Sequence, residues 1–379
     1  METNEETVGN HQGETGTVSD IQNKMATKEP AKIVEGSWNH RMDSEVTSSK
    51  VKRTVFKNYV NPWKSWTFPG LIDFIKLQRT FMFGERNLMK KPADQEELDE
   101  NLPVVTPDWT SPPDDGIAVT WIGHASVLAR FDGISVLTDP VFSNRCSPFS
   151  FAGPKRYRPA PCTVQELPHI DAVVISHAHY DHLDKHTVVD LNRKYGSNLR
   201  WFVPKGLRKW FESVGVTDVV ELNWWDEEVL PNHDNVKFVF TPTQHWSNRG
   251  LHDSGSHLWG SWCVFGPNRS FFFAGDTGYC EAFQEIGKRY GPFDLSAIPI
   301  GAYEPRWFMG PQHVNPEEAV KIHQDVESKK TVGIHWGTFV LTTEHYMEPK
   351  TKLEEELVKQ GLSEEDFFTL KHGETKYFS

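Results

Sequence analysis

The sequence predicts a mixed α/β sandwich, with two sheets packed face to face and helices outside. Three observations predict it. Short strand-like runs follow one another at hairpin spacing from Ile117, Ser126 and Ile134. Later runs alternate with helix-length segments. At 379 residues the chain is long enough to bury a sizeable core between two layers.

The elements are expected in this order. Residues 1–48 are rich in Glu, Thr, Asn, Ser and Gly and have little to bury, so they read as a disordered acidic head. Over residues 49–92, basic residues such as Lys52, Arg53, Lys76 and Arg79 interleave with aromatic ones such as Trp63, Trp66 and Phe74. That mixture suits a membrane interface, where rings insert at headgroup depth and cations meet anionic lipid. It equally suits an extension packed on the main domain, and the two readings are compatible. A polar, acidic linker is expected over Ala93–Asp115, so that 93–379 form the catalytic domain.

Within that domain, runs rich in β-branched and aromatic residues mark strands. They are Ile117–Ile122, Ser126–Phe131, Ile134–Thr138, Ala172–Ser176, Arg200–Val203, Val236–Thr241, Trp259–Phe265, Ser270–Ala274, Leu295–Ile300 and Thr331–His335. Helices are expected over His186–Tyr195, Leu207–Val214, Glu281–Tyr290, Pro316–Ser328 and Thr351–Gln360. The Pro316 helix has the best start signal. Asn315 can cap it, Pro316 fits its first turn, and Glu317 and Glu318 favour its positive end.

Composition narrows the function classes. The formal net charge of −12 argues against general nucleic-acid binding, which rests on neutralising phosphates. Four well-separated cysteines in a chain this long form no disulfide framework and point to a reducing, intracellular compartment. Met1–Lys24 has no apolar stretch, so no secretory signal is expected. The nearest approach to a membrane span, Trp66–Phe83, is broken by Asp73, Lys76 and Arg79. A soluble or peripheral protein is expected.

The chemistry concentrates just past the run Ala172–Ser176, in His177-Ala178-His179-Tyr180-Asp181-His182. Four potential metal ligands occupy six residues. Neutral imidazole nitrogen and carboxylate oxygen are natural zinc donors, and dense spacing allows two ions to sit close together. A chance cluster of this kind after an apolar run is improbable. Three further candidates follow strand-like runs: His245, Asp276 and His335.

The motif H-x-H-x-D-H, followed by a His, an Asp and a His, resembles the metallo-β-lactamase superfamily. The resemblance implies an αββα sandwich with two Zn2+. His177, His179 and His245 would bind one ion, and Asp181, His182 and His335 the other. Asp276 would bridge them together with a water or hydroxide. The same donors would also accept manganese or iron. Asp139, at the end of Ile134–Thr138, is a candidate for orienting a ligating histidine, and Asp184 a weaker one. His124, between two strand runs, reads as a buried turn histidine at least as well as a site residue.

Longer stretches resemble one family in particular, the N-acylphosphatidylethanolamine-hydrolysing phospholipases D. They include Gly153-Pro154-Lys155-Arg156, Phe271–Cys280, Ile298–Met309, His335–Phe339 and Leu370–Glu374. The resemblance spans roughly residues 58–378. It implies hydrolysis of N-acylphosphatidylethanolamine to an N-acylethanolamine and phosphatidic acid by a hydroxide held between two zinc ions. Gln312 and His313 would stand near the phosphate beside Asp276, His313 as a proton or hydrogen-bond donor. Tyr180 and His372 are further expected substrate contacts. The resemblance also implies a membrane phospholipid as partner and a homodimer. It places the protein peripherally on the cytosolic face of internal membranes, Golgi or endosome. A lactonase or thioesterase would share every metal ligand but would need neither Gly301–Met309 nor the aromatic-basic segment. An RNA-processing nuclease is disfavoured by charge, and a non-catalytic lipid-binding protein by the full ligand set.

Overall fold

The computed structural model describes residues 52–53, 58–67, 70, 72–73, 75–77, 79, 94–149, 151–250 and 253–379. The expected disordered head, 1–48, lies outside the described residues, as does much of the aromatic-basic segment 49–92.

Two short strands, β1 (Lys52–Arg53) and β2 (Tyr59–Val60), pair antiparallel. The stretch expected to be a linker then holds a helix, α1 (Gln95–Asn101). The Asp94 side chain accepts from the Glu97 backbone N–H at 2.9 Å and so caps it. Its Leu98 and the following Leu102 are buried. Only one of the helix's seven residues, Leu98, is apolar, so no helical period was there to read.

The first sheet opens with β3 (Ile117–Gly123), β4 (Ser126–Phe131), β5 (Ile134–Thr138), β6 (Ala172–Val174), β7 (Arg200–Pro204) and β8 (Val219–Leu222). The second runs through β9 (Glu227–Leu230), β10 (His233–Thr241), β11 (Ser261–Phe265), β12 (Ser270–Phe273), β13 (Leu295–Pro299), β14 (Thr331–Ile334) and β15 (Phe367–Phe368). The last strand, β16 (Thr375–Phe378), returns to the first sheet and pairs antiparallel with β3. Among the described residues each sheet has seven strands, in the orders β16-β3-β4-β5-β6-β7-β8 and β15-β14-β13-β12-β11-β10-β9. The helices α2 (Lys185–Tyr195), α3 (Arg208–Ser213), α4 (Ala282–Tyr290), α5 (Arg306–Met309), α6 (Pro316–Asp325) and α7 (Glu348–Gln360) complete the unit.

Alternation sets the layers. On β4, Val127, Ala129 and Phe131 join the core between the sheets, while Leu128 joins the outer layer. Phe202 of β7 stacks on Phe238 of β10, ring centroids 4.0 Å apart, which ties the two sheets together. Outside the first sheet, Val188 and Leu191 of α2 and Phe211 of α3 pack with Val173 and Trp201. The sandwich expected from the strand pattern is therefore the fold. At the start of α6, Asn315 and Glu318 form the reciprocal capping box.

The aromatic-basic segment is anchored to the body around Asn61 and Trp63. Asn61 Nδ2 donates to the His245 carbonyl at 2.6 Å, and Trp63 Nε1 to the Thr243 carbonyl at 3.1 Å. Trp63 is buried.

Candidate metal centre

Each candidate ligand stands just beyond the end of a strand, and so does Asp139, the candidate for orienting one of them. Asp139 follows β5, His177–His182 follow β6, His245 follows β10, Asp276 follows β12, and His335 follows β14. Strands β5 and β6 are parallel, as are β12, β13 and β14, so their carboxyl ends share an edge within each sheet. Loops at such edges are free to carry side chains that a ladder would hold in the core. The turns are tight. His124, Asp139 and His335 have φ of 54°, 31° and 63°, a region non-glycine residues avoid unless their surroundings hold them there.

The side chains meet in two groups. In one, His179 Nδ1 lies 2.8 Å from His177 Nε2 and 3.3 Å from His245 Nε2. In the other, His182 Nε2 and His335 Nε2 are 3.2 Å apart, with Asp181 Oδ2 at 3.4 and 3.6 Å from them. Asp276 stands between the groups. Its Oδ2 is 3.0 Å from His182 Nε2 and 3.8 Å from both His177 Nε2 and His245 Nε2. Its Oδ1 is 3.1 Å from His335 Nε2.

Several rings are held from behind. His177 Nδ1 lies 2.8 Å from Ser176 Oγ, His182 Nδ1 2.6 Å from Asp139 Oδ2, and His245 Nδ1 3.0 Å from the Gln312 carbonyl oxygen. Asp139 is fully buried and also accepts from the Ser176 backbone N–H at 2.7 Å. A carbonyl or carboxylate behind an imidazole fixes its tautomer and turns the other nitrogen's lone pair toward the centre.

This donor set fits metal ions. Imidazole nitrogens that face one another at hydrogen-bonding distance need a proton or a cation between them. Donors about 2.0–2.1 Å from a tetrahedral zinc are themselves about 3.3 Å apart, close to the spacings seen. His313 Nδ1 is buried with no hydrogen-bond partner among the described residues. Electrostatics agree. Burial, reinforced by neighbouring imidazoles, pushes His177 and His245 well below the usual histidine range, so their lone pairs are free. Burial opposes charge on Asp276, but His182, His335 and His313 overcome it and hold the carboxyl well below its usual range. Burial likewise opposes a proton on His182, yet Asp276 and Asp181 raise it well above the ordinary value.

The other expected site residues fall into place less uniformly. His313 belongs to the group: Nδ1 is 3.9 Å from Asp276 Oδ2, and its ring lies 5.2 Å from that of His245. Burial lowers its pKa to about 4. Gln312 reaches the centre through its main-chain carbonyl, while its side-chain oxygen accepts from Trp246 Nε1 at 2.7 Å. Tyr180 points its hydroxyl at the Arg249 carbonyl, 2.8 Å away. It lines a cavity of about 280 Å3 with Arg249 and Trp210.

Two expected site residues stand in other surroundings. His372 is fully buried, stacked on Trp121 at 4.4 Å, with Nε2 3.2 Å from Thr338 Oγ1. In this structure the ring packs against Trp121 in the interior. Asp184 caps α2, accepting from the backbone N–H groups of His186 and Ser143 and from the Thr187 hydroxyl. Its lone pairs serve the helix start and leave the histidines to Asp139. Conversely, His124 stands in the group, with Nε2 2.9 Å from Asp181 Oδ2. The signal for it was a histidine next to glycine in a strand-to-strand turn, which a purely structural residue would share.

The two sheets, the helices and this set of donors at the strand ends define a hydrolase of the metallo-β-lactamase superfamily. A beta-lactamase superfamily domain model matches residues 135–336. An archaeal metallo hydrolase of Ignicoccus hospitalis shares the fold, with a TM-score of 0.53 and 20% identity over 70% of this chain and 99% of its own. Within the superfamily, the chain is 44% identical to a Caenorhabditis elegans protein named N-acyl-phosphatidylethanolamine-hydrolyzing phospholipase D 1, over 84% of this chain and 92% of the worm protein. A mitochondrial Saccharomyces cerevisiae protein of the same name is 33% identical, over 79% of this chain and 71% of its own. The chain belongs to the N-acyl-phosphatidylethanolamine-hydrolysing phospholipase D family.

Proposed function

We propose that the protein hydrolyses the phosphodiester of N-acylphosphatidylethanolamine, releasing an N-acylethanolamine and phosphatidic acid, with two zinc ions as cofactors. The 44% identity to the worm protein over most of both chains carries this reading. His177, His179 and His245 would hold one ion, Asp181, His182 and His335 the other, and Asp276 would reach both. Bound there, the ions would supply Lewis-acid stabilisation of the phosphate oxygens and a water made nucleophilic near neutral pH. The chain's own part is to fix the donors and shape the approach. Asp139, Ser176 and the Gln312 carbonyl lock three of the rings. His313, neutral at pH 7 with its lowered pKa of about 4, offers one N–H beside Asp276 to a phosphate or leaving-group oxygen.

A membrane phospholipid substrate asks for contact with its surface. Large apolar side chains exposed at Ile72, Ile75, Phe149, Phe151 and Trp307 support peripheral association, as does Lys76 placed 4.1 Å over the Trp307 ring. The test is product analysis with a defined N-acylphosphatidylethanolamine in mixed micelles, with and without a chelator. N-acylethanolamine and phosphatidic acid should form, stop on chelation, and return with added zinc. Turnover of a lactone panel with the phospholipid left intact would sink the substrate assignment.

A further inference from the structure

His124 is bound to one of the two donor groups at three points. Its Nε2 lies 2.9 Å from Asp181 Oδ2. A carboxylate only accepts, so Nε2 carries the hydrogen and donates. Its carbonyl oxygen accepts from the His335 backbone N–H at 2.9 Å. Its ring packs against that of His335, centroids 4.0 Å apart. Asp181 and His335 belong to the same group, and the described contacts of His124 include none with His177, His179 or His245.

The residue is itself held from behind. Its backbone N–H donates to Thr338 Oγ1 at 2.7 Å, and its carbonyl also accepts from Trp121 Nε1 at 3.0 Å. Thr338 Oγ1 donates to the Trp336 carbonyl at 3.0 Å, which leaves it to accept from His124 N and from His372 Nε2. The edge of Phe339 closes over the ring at 5.2 Å. A positive φ of 54° and full burial show that the turn is built to keep this side chain in place.

We propose that His124 is the positioning residue of the Asp181/His182/His335 metal site, holding Asp181 through its side chain and His335 through its carbonyl. It thereby sets the affinity of that ion alone. The inference rests on the two-metal reading above. Outer partners of metal ligands are worth about 10–100-fold in affinity. His124→Ala keeps the carbonyl but frees the Asp181 carboxylate, so one of the two ions should bind about 10–100-fold more weakly.

The test is metal titration of the full-length protein by competition with a chelating dye, with the cobalt absorption spectrum as a second readout. Circular dichroism confirms that each variant is folded. In His124→Ala one equivalent should weaken and the other stay at the wild-type value. His124→Gln, which restores an N–H donor, should recover most of the lost affinity. The weakening should vanish in an Asp181→Ala background and persist in His179→Ala. Equal weakening of both ions, unchanged binding of both, or no recovery with Gln would overturn the assignment. A wild-type protein that takes up a single ion would instead overturn the two-metal reading, and the inference with it.

Discussion

At the scale of single residues, the centre depends on groups that never reach it. Tryptophans serve here as braces: an indole buries a large apolar ring yet must satisfy one N–H. Trp121 donates to the His124 carbonyl and Trp262 to that of Ile175, just ahead of His177. Trp63 and Trp259 both donate to Thr243, two residues before His245. Each thus pins a turn that carries a candidate donor or, at His124, the residue that holds one. His313 differs, since no hydrogen-bond partner among the described residues takes its buried Nδ1. Its role is expected to show only when substrate is present. His313→Ala should lower kcat by about 10²-fold or more while leaving the bound metal unchanged by elemental analysis. Unchanged turnover would remove His313 from the chemistry.

At the scale of elements, what was legible followed from burial. Each strand expected from the sequence is present, with ends shifted by a few residues, because central strands are buried on both faces and read as apolar runs. In the two seven-stranded sheets the missed strands β8, β9, β15 and β16 are the four edges, and the separate pair β1–β2 was missed as well. Edge strands are short and half-solvated, so β8, β9 and β16 carry polar residues where a core strand would not. Helix α6 shows the opposite case, because a capping box is a local signal needing no tertiary partner. Asn315→Ala should cost about 0.5–2 kcal/mol in urea unfolding. It should move the midpoint without changing metal content, since Asn315 stands on the helix side of the His313 loop.

At the scale of the whole molecule, the stretch Tyr59–Ser65 changes how membrane association must be tested. It binds the loop that carries His245: Tyr59 N donates to Gly255 O, and Ser65 Oγ donates to Gln244 Oε1. Cutting the chain after residue 92 would therefore strip support from a metal donor and confuse lipid binding with site damage. Substitution is cleaner. Ile72 and Ile75 are 80% and 51% exposed, so charges there should leave folding intact. The double variant Ile72→Glu/Ile75→Glu should sediment several-fold less with anionic liposomes and keep its metal content. Equal partitioning of variant and wild type would remove this surface from the contact.

The sequence by itself determined the two-sheet architecture and the spacing of seven candidate metal donors, because both are written in local patterns: alternation in strands, and candidate ligands crowded at their ends. Only the tertiary structure decided which groups serve those donors from behind. His124 comes from a turn of the first sheet, 57 residues from Asp181. The Gln312 carbonyl comes from the loop between α5 and α6, 67 residues from His245. It also decided that His372 stacks on Trp121 and that Asp184 caps α2. Such pairings depend on which strand ends meet across the sandwich, and contacts that distant leave no periodic trace along the chain.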